Sequence, residues 1–484
     1  MQLFNSDTRY PTNIISITAK MLDINNIKTI YFIGIGGIGM SALARYFAFH
    51  GKRVSGYDKT STVLTRQLEQ EGIEIHYEDN VELMPKDVDV VVYTPAIPKS
   101  HAGYNFYIDK NYTILKRSDV LGIITNGSFN ICVAGTHGKT TISTMVAHIL
   151  RDSGFGCNAF LGGISSNYNS NYWSNERNVC VVEADEYDRS FLKLHPNIAV
   201  ISAMDADHLD IYGDEETMHE AFLDFSGKIK EGGTLIYNSA LPESAAFRAD
   251  KQVSYSLNDQ SAMVAATNVQ MNNGSYRFDI NAGDWKLQDI VLNMGGFHNV
   301  ENMVAAIYVA HLVGVEDEKI ANAVSAFRGV KRRFEYMYRA ATREDGKVSV
   351  YIDDYAHHPE ELKALINGAK SLFPGMICTV IFQPHLFTRT RDFSNEFSLT
   401  LDMADEVILL PIYPARELPI EGVTSEMLLE GMENTNSRIL PKNEVLAYIR
   451  QMQEKAIGKE RLLITAGAGD IDTLVQPIKE FLEK

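Results

Sequence analysis

The chain has 484 residues, 45% of them apolar and 22% charged, with 45 Lys and Arg against 62 Asp and Glu for a net charge of −17. That length implies about three domains, and the composition excludes a disordered chain, a fibrous repeat and a small disulfide scaffold. The acidic field argues against nucleic acid and anionic membrane as partners. No apolar run reaches the ~18 residues of a membrane span. The N-terminal stretch lacks the continuous apolar core of a signal peptide, so a cytoplasmic location is expected. Cys132, Cys157, Cys180 and Cys378 show no paired spacing and are expected to be buried thiols, not a metal or disulfide site.

Along the chain, short apolar runs alternate with helix-like segments. The runs are Thr29–Ile33, Val88–Tyr93, Ile131–Val133, Val179–Val182, Ile198–Ile201, Val348–Ile352, Ile377–Phe382, Val407–Leu410 and Leu462–Ile464. This is the pattern of an α/β chain with parallel sheets covered by helices on both faces. In such sheets ligands bind at the carboxyl ends of strands, so the residues after each run are the candidates for chemistry. Breaks at Asn126-Gly127-Ser128 and Arg332-Arg333-Phe334 suggest domains of residues 1–125, 126–334 and 335–484. Alternation over 254–293, around Asn272-Asn273-Gly274, reads as a small β hairpin insert.

The first strand runs into Gly34-Ile35-Gly36-Gly37-Ile38-Gly39-Met40-Ser41, with Asp58 at the end of the next apolar run. Glycines at 34, 36 and 39 fit G-x-G-x-x-G, which lets backbone N–H groups approach a diphosphate at a helix N-terminus. By pattern alone Asp58 would take a ribose, and a dinucleotide such as NAD fits as well as any other diphosphate. The run Ile131–Val133 leads into Gly135-Thr136-His137-Gly138-Lys139-Thr140-Thr141. It has the Walker A ending, a lysine for the β- and γ-phosphates and a hydroxyl for Mg²⁺, in a shortened loop with Val133 where the usual spacing wants glycine.

Further strand tips carry acids, histidines and arginines. Val179–Val182 ends in Glu183-Ala184-Asp185-Glu186, where Glu183 is a natural Mg²⁺ ligand and Asp185 and Glu186 read equally well as a solvated acidic loop. Ile198–Ile201 leads to Asp205-Ala206-Asp207-His208-Leu209-Asp210, a second metal position. Asn299 and Asn302, in Gly295–Asn302, share a helix face at i, i+3 and are placed either to meet a planar base or to cap the helix. Asp353–Pro359 and Gln383–Arg391 follow two later strands, and arginines there suit a carboxylate or phosphate. Arg391 reads equally well as a solvated surface residue.

In this order, these segments resemble the Mur ligase family from about Tyr31 to Asp470. Arg332–Phe334, Ile412–Glu417 and Gly422–Ser425 complete the match. The resemblance implies a Rossmann-like UDP-binding domain, a central P-loop ATPase domain with a mostly parallel sheet, and a C-terminal Rossmann-like α/β domain that binds the amino acid. It implies an ATP- and Mg²⁺-dependent ligase that joins L-alanine to UDP-N-acetylmuramate through an acyl phosphate. A relative that attaches a tripeptide instead fits the Gln383–Thr390 and Ile412–Ser425 blocks less well. Gly34, Ile35, Gly36, Gly37, Ile38, Gly39, Met40, Ser41 and Asp58 would then hold the UDP substrate. Gly135, Thr136, His137, Gly138, Lys139, Thr140, Thr141, His298, Asn299, Asn302, Arg333 and Asp354 would hold ATP. Thr140, Glu183 and His208 would bind metal, and Tyr355, His357, His385 and Arg389 would surround the amino acid. The catalytic set implied is Lys139, Glu183, His208, His357 and Arg389.

Three departures from the family pattern stand out. Leu386 and Phe387 replace a usual Arg and Tyr, Ser202 and Ala203 replace a usual Thr-Asn pair, and residues 220–225 contain no lysine for the carbamylation some relatives carry. Residues 1–27 lie outside the resemblance.

Overall fold

The structure is a computed structural model that describes residues 24–205, 209–242, 244–272, 274–340, 346–415, 417–455 and 458–484. These form two compact units. One holds residues up to 164, 169–264 and 305–316; the other holds 165–168, 265–304 and 317–484.

The first unit begins with a five-stranded parallel sheet of β1 (Thr29–Ile33), β2 (Arg53–Tyr57), β3 (Glu74–His76), β4 (Val90–Tyr93) and β5 (Ile114–Lys116), in the order β3-β2-β1-β4-β5. β1 is a continuous apolar run because both of its faces are covered. Phe32 joins a core with helix α1 (Ile38–Phe49), while Tyr31 and Ile33 pack with Tyr107 on the other face. Helix α2 (Arg117–Asn126) follows β5 directly.

The chain then builds a second, larger sheet. In this unit it runs β12 (Lys251–Ser256), β11 (Thr234–Asn238), β10 (Ile198–Ile201), β6 (Phe129–Ala134), β9 (Val179–Glu183), β7 (Asn158–Ser165) and β8 (Ser170–Trp173). The central pairings are parallel. Helix α3 (Lys139–Asp152) buries Ile142, Met145, Val146 and Ile149, a 3.6-period stripe. It starts three residues before the apolar segment from Ile142 because Gly138 forms its N-terminal boundary.

In the second unit, β13 (Val264–Asn272), β14 (Ser275–Ala282) and β15 (Trp285–Leu292) form an antiparallel meander. The expected hairpin therefore gains a strand. Its second turn contains Gly283 at φ +66°, and bulges between Thr267 and Gln270 and between Phe278 and Ile280 blur the alternation that sequence periodicity relies on. Helix α5 (Phe297–Leu312) comes next in the chain order after α4 (Glu215–Ser226). The last sheet, β16-β17-β21-β18-β19-β20, comprises β16 (Glu335–Arg339), β17 (Val348–Asp354), β18 (Ile377–Phe382), β19 (Glu406–Leu409), β20 (Ser437–Ile439) and β21 (Arg461–Ala466). It is parallel except for the edge strand β16. Tyr351, Ile381, Ile408 and Leu463 are central to one of its faces. All four cysteines are buried and unbridged, as expected, and burial raises their thiol pKa values.

Candidate active site

The glycine turn after β1 is held by its own backbone. Gly34, at φ +88°, and Ile35 both donate to the Tyr57 carbonyl, at 2.8 and 3.0 Å. Asp58 Oδ2 accepts the Gly36 N–H at 2.8 Å, and Oδ1 accepts the Thr60 N–H at 3.3 Å. The structure thus gives Asp58 the task of fixing the turn, whereas the spacing alone assigned it a ribose. A Cβ on Gly36 would fall 2.8 Å from that carboxylate, so the turn needs glycine there. Ile35, Met40 and Ser41 are buried, and the exposed surface of the turn is left to its glycines and Ile38. Ser41 instead accepts from Asn171 at 3.1 Å.

The P-loop follows β6. Gly138 adopts φ +83° at the boundary of α3, and Gly135 adopts φ +134° where a Cβ would lie 2.3 Å from Ser202 Oγ. The Ser202 hydroxyl donates to the carbonyls of Ala134, at 3.2 Å, and His137, while the Ala203 carbonyl accepts the Thr136 N–H at 3.0 Å. Replacement of the family's Thr-Asn pair therefore leaves a hydroxyl brace beneath the loop. Lys139 Nζ donates to the Gly135 carbonyl at 2.6 Å and to Glu186 Oε1 at 2.7 Å. Thr136 and Thr141 are buried, and His137 is exposed within 3.8 Å of Asp205.

The acidic segment is not the solvated loop that remained open for Glu186. Glu186 is buried and salt-bridged to Lys139, and Tyr212 donates to its backbone carbonyl at 2.6 Å. Asp185 pairs with Arg117 at 3.2 Å and Asp188 with Lys116 at 3.3 Å. Glu183 Oε1 accepts the Thr140 hydroxyl at 3.1 Å and Oε2 accepts the Gly162 N–H at 2.9 Å. Burial raises the Glu183 and Glu186 carboxyl pKa values, with the nearby Lys139 charge acting in the opposite direction. A carboxylate and a hydroxyl side by side are hard oxygen donors that suit Mg²⁺, and the positive-φ glycine loop with its lysine suits a polyphosphate. His208, the other expected metal ligand, lies outside the described residues. Among the described residues, no group of three or more His, Cys, Asp and Glu is assembled for a metal.

In the second unit, His298 is exposed at the start of α5. Asn299 and Asn302 are buried; the Asn299 amide donates to the Gly295 carbonyl at 2.6 Å and accepts from Asn302 at 3.4 Å. They share a face, as their spacing implies, and they are bonded to each other and to the helix entrance. Arg332 and Phe334 adopt φ +61° and +48°. Arg332 is tied to Asp353 at 3.1 Å and to the Gly467 carbonyl at 2.6 Å, while Arg333 lies 3.9 Å from Glu361 and over the Tyr355 ring. Asp354 uses both carboxylate oxygens on backbone, accepting from Phe334 N–H at 2.6 Å and Ala356 N–H at 2.7 Å. Burial pushes the Asp353 and Asp354 carboxyls up to about 6.

Tyr355, His357 and His385 do converge. Ring centroids lie 5.2 Å apart for Tyr355–His357 and 6.0 Å for His357–His385, and Tyr413 stacks on His385 at 5.8 Å. Burial lowers the pKa of both histidines, with Arg389 adding to the effect, and His385 falls to about 4. Leu386, at φ +69°, turns the chain into a short helix from Phe387 to Asp392 that carries half-buried Arg389. Arg391 pairs with its neighbour Asp392 on the surface.

Three family models match the chain in succession: "Mur ligase family, catalytic domain" at residues 29–128, "Mur ligase middle domain" at 133–310 and "Mur ligase, glutamate ligase domain" at 332–469. The chain belongs to the Mur ligase family. Among curated Mur ligases, a UDP-N-acetylmuramate–L-alanine ligase of Flavobacterium psychrophilum is 46% identical over 96% of this chain and 100% of that protein. The ligase of the same name from Porphyromonas gingivalis strain W83 is 44% identical over 94% and 99%. Among solved structures, UDP-N-acetylmuramate-alanine ligase MurC from Thermotoga maritima superposes with a TM-score of 0.80 at 26% identity, covering 95% of this chain and 99% of that one. The MurF ligase of Thermotoga maritima, solved with ADP, shares the fold at a TM-score of 0.58 and 16% identity, over 84% and 97%. The three-domain α/β architecture is that of the Mur ligases.

Arg117 and Gly162 lie outside every segment singled out from the sequence, because each acts on a residue distant in the chain. Glu186, Arg332, Asp353 and Tyr413 lie inside such segments, but no local pattern marks their pairing with Lys139, Gly467, Thr465 and His385.

Proposed function

We propose that this chain joins L-alanine to the carboxylate of UDP-N-acetylmuramate with cleavage of ATP, a step in making a peptidoglycan precursor. The observation that carries this reading is the Lys139–Thr140–Glu183 array on a chain related over its full length to alanine-adding Mur ligases. The domains are assigned as residues 1–125 for the UDP substrate, 126–334 for ATP and 335–484 for the amino acid.

Mg²⁺ held by Thr140, Glu183 and His208 would offset charge on the phosphates. In the first step a carboxylate oxygen of the muramoyl group attacks the γ-phosphorus, the bond to the β–γ bridging oxygen breaks, and ADP leaves an acyl phosphate. In the second step the alanine nitrogen attacks the acyl carbon, giving a tetrahedral intermediate that expels phosphate as the nitrogen loses its proton. Lys139 carries the positive charge that faces the transferring phosphoryl oxygens. Gly135–Thr141 is assigned the nucleotide phosphates, Arg333 is assigned to the phosphates as well, Asp354 to the ribose, and His298, Asn299 and Asn302 to the nucleotide. Arg389 takes the alanine carboxylate, because Leu386 removes the other cation expected there. Tyr355, His357 and His385 enclose the amino acid, and burial, which disfavours the charged form of both histidines, keeps a second positive charge away from the incoming amine. We assign the enzyme to the cytoplasm, with its nucleotide substrates. Among the described residues, no helix is long and apolar enough to cross a membrane.

The test is product formation. UDP-N-acetylmuramate, ATP, Mg²⁺ and L-alanine should give the alanyl product and phosphate, with L-alanine outcompeting an L-alanyl tripeptide. Folded protein that forms no amide refutes the reading.

A further inference from the structure

Beside the glycine turn, the first unit contains a cavity of about 260 Å³. Gly37, Ile38 and Gly39 form one wall, and Gly162, Glu183 and Asp185 form another. The cavity thus reaches from the proposed diphosphate cradle to the carboxylate that bonds the P-loop hydroxyl. Among its described lining residues Arg117 is the one cation, set against Glu183 and Asp185. An anionic group entering this space therefore meets Arg117 as a cation of its wall.

The position of Arg117 is specific. A Cβ on Gly39 would lie 2.8 Å from its Nη1 and 3.0 Å from its Cδ, so the side chain lies across the start of α1. Its Nη2 reaches Asp185 Oδ2 at 3.2 Å. The two side chains are 23% and 35% exposed, and a partly solvated ion pair of this kind adds little stability. A guanidinium can hold a phosphate or carboxylate through two parallel charge-assisted bonds, a stronger arrangement than the single contact seen here. Nor does α2 depend on that contact. Lys193 donates to Asp119 at 2.6 Å and to Ser118 at 3.0 Å, and Lys116 reaches Asp188 at 3.3 Å. These bonds hold the helix independently of Arg117.

We propose that Arg117 is a substrate-binding residue whose guanidinium exchanges Asp185 for an anionic oxygen group of the UDP-sugar, holding it between the glycine turn and Glu183. The proposal rests on the ligase reading and adds a residue to it. Calorimetric titration of the full-length protein with UDP-N-acetylmuramate, UDP and a non-hydrolysable ATP analogue tests it. Arg117→Ala should weaken UDP-N-acetylmuramate by about tenfold or more and leave the ATP analogue within about twofold. Arg117→Lys should fall between, because a point charge lacks the fork. A loss shared by UDP identifies the diphosphate as the group held, and a loss confined to the whole substrate identifies the carboxylate. Asp185→Asn, which removes the competing anion, should bind the substrate at least as tightly as wild type.

Unchanged substrate affinity in folded Arg117→Ala overturns the proposal. If that variant does not fold, Arg117→Lys and Asp185→Asn decide: unchanged affinity in the first, or a tenfold loss in the second, overturns it equally. Failure of the wild-type protein to bind UDP-N-acetylmuramate would instead refute the ligase reading itself.

Discussion

Gly162→Ala changes one hydrogen into a methyl group and should disable the enzyme. The φ of Gly162 is not in the left-handed region, so alanine fits its backbone. Its new Cβ would lie 2.1 Å from Glu183 Oε2 and 2.5 Å from Oε1. Contacting heavy atoms prefer about 3.5 Å, so the carboxylate must retreat by about 1.0–1.4 Å. Retreat breaks the 2.9 Å bond from the Gly162 N–H and disturbs the 3.1 Å bond from Thr140. A hydrogen bond to a charged group is worth about 1.5–3 kcal/mol, and a 1 Å misplacement of reacting groups costs about 10²-fold in rate. The displaced atoms are the free end of a side chain, so the fold should survive with a thermal midpoint only a few degrees lower. Phosphate release at saturating substrates should show kcat reduced about 100-fold, with half-maximal activity moved to higher Mg²⁺. A folded variant that keeps kcat within about threefold of wild type refutes the argument that Glu183 must sit where Gly162 allows it.

Lys139→Ala should abolish turnover and, by leaving buried Glu186 without its ammonium, lower stability by up to about 3 kcal/mol. Adding Glu186→Gln should restore stability in denaturant melts but not activity, and equal stability of the single and double variants would contradict this. The Asp354 carboxyl is raised from 3.8 to about 6, so the folded state holds its proton where the unfolded state has lost it. Its contribution is therefore most favourable below about pH 4 and is lost as pH rises to about 6. Asp354→Asn should gain thermal stability relative to wild type across that window and show a constant difference above it; a flat difference across the window refutes the shift. The His385 ring should titrate near 4 by NMR, and a midpoint near 6.5 would show that its surroundings do not exclude charge.

The parallel strands were legible because burial on both faces turns them into apolar runs, as in Thr29–Ile33 and Ile377–Phe382. Both glycine loops were legible because a tight glycine turn between a strand and a helix leaves a fixed spacing in the chain. What supports those loops was not legible. Arg117 meets Asp185 across 68 residues, Lys139 meets Glu186 across 47, and Glu183 meets Gly162 across 21. Only the crossover order of the strands brings such pairs together. Nor does local reading show where a side chain also serves its own loop. Asp58 has the offset expected of a ribose ligand, yet it satisfies Gly36. Ser41 sits within the glycine motif but turns inward to Asn171.

The pairing of Lys139 with buried Glu186 has a consequence for which anions the loop will accept. A lysine whose charge is already compensated is a poor trap for a lone phosphate or chloride ion, since either must compete with a fixed carboxylate at 2.7 Å. A ligand that engages the lysine and the surrounding backbone N–H groups together spreads that competition over several contacts. On the proposed reading, the loop would discriminate by valency, holding a chain of phosphates better than a single anion.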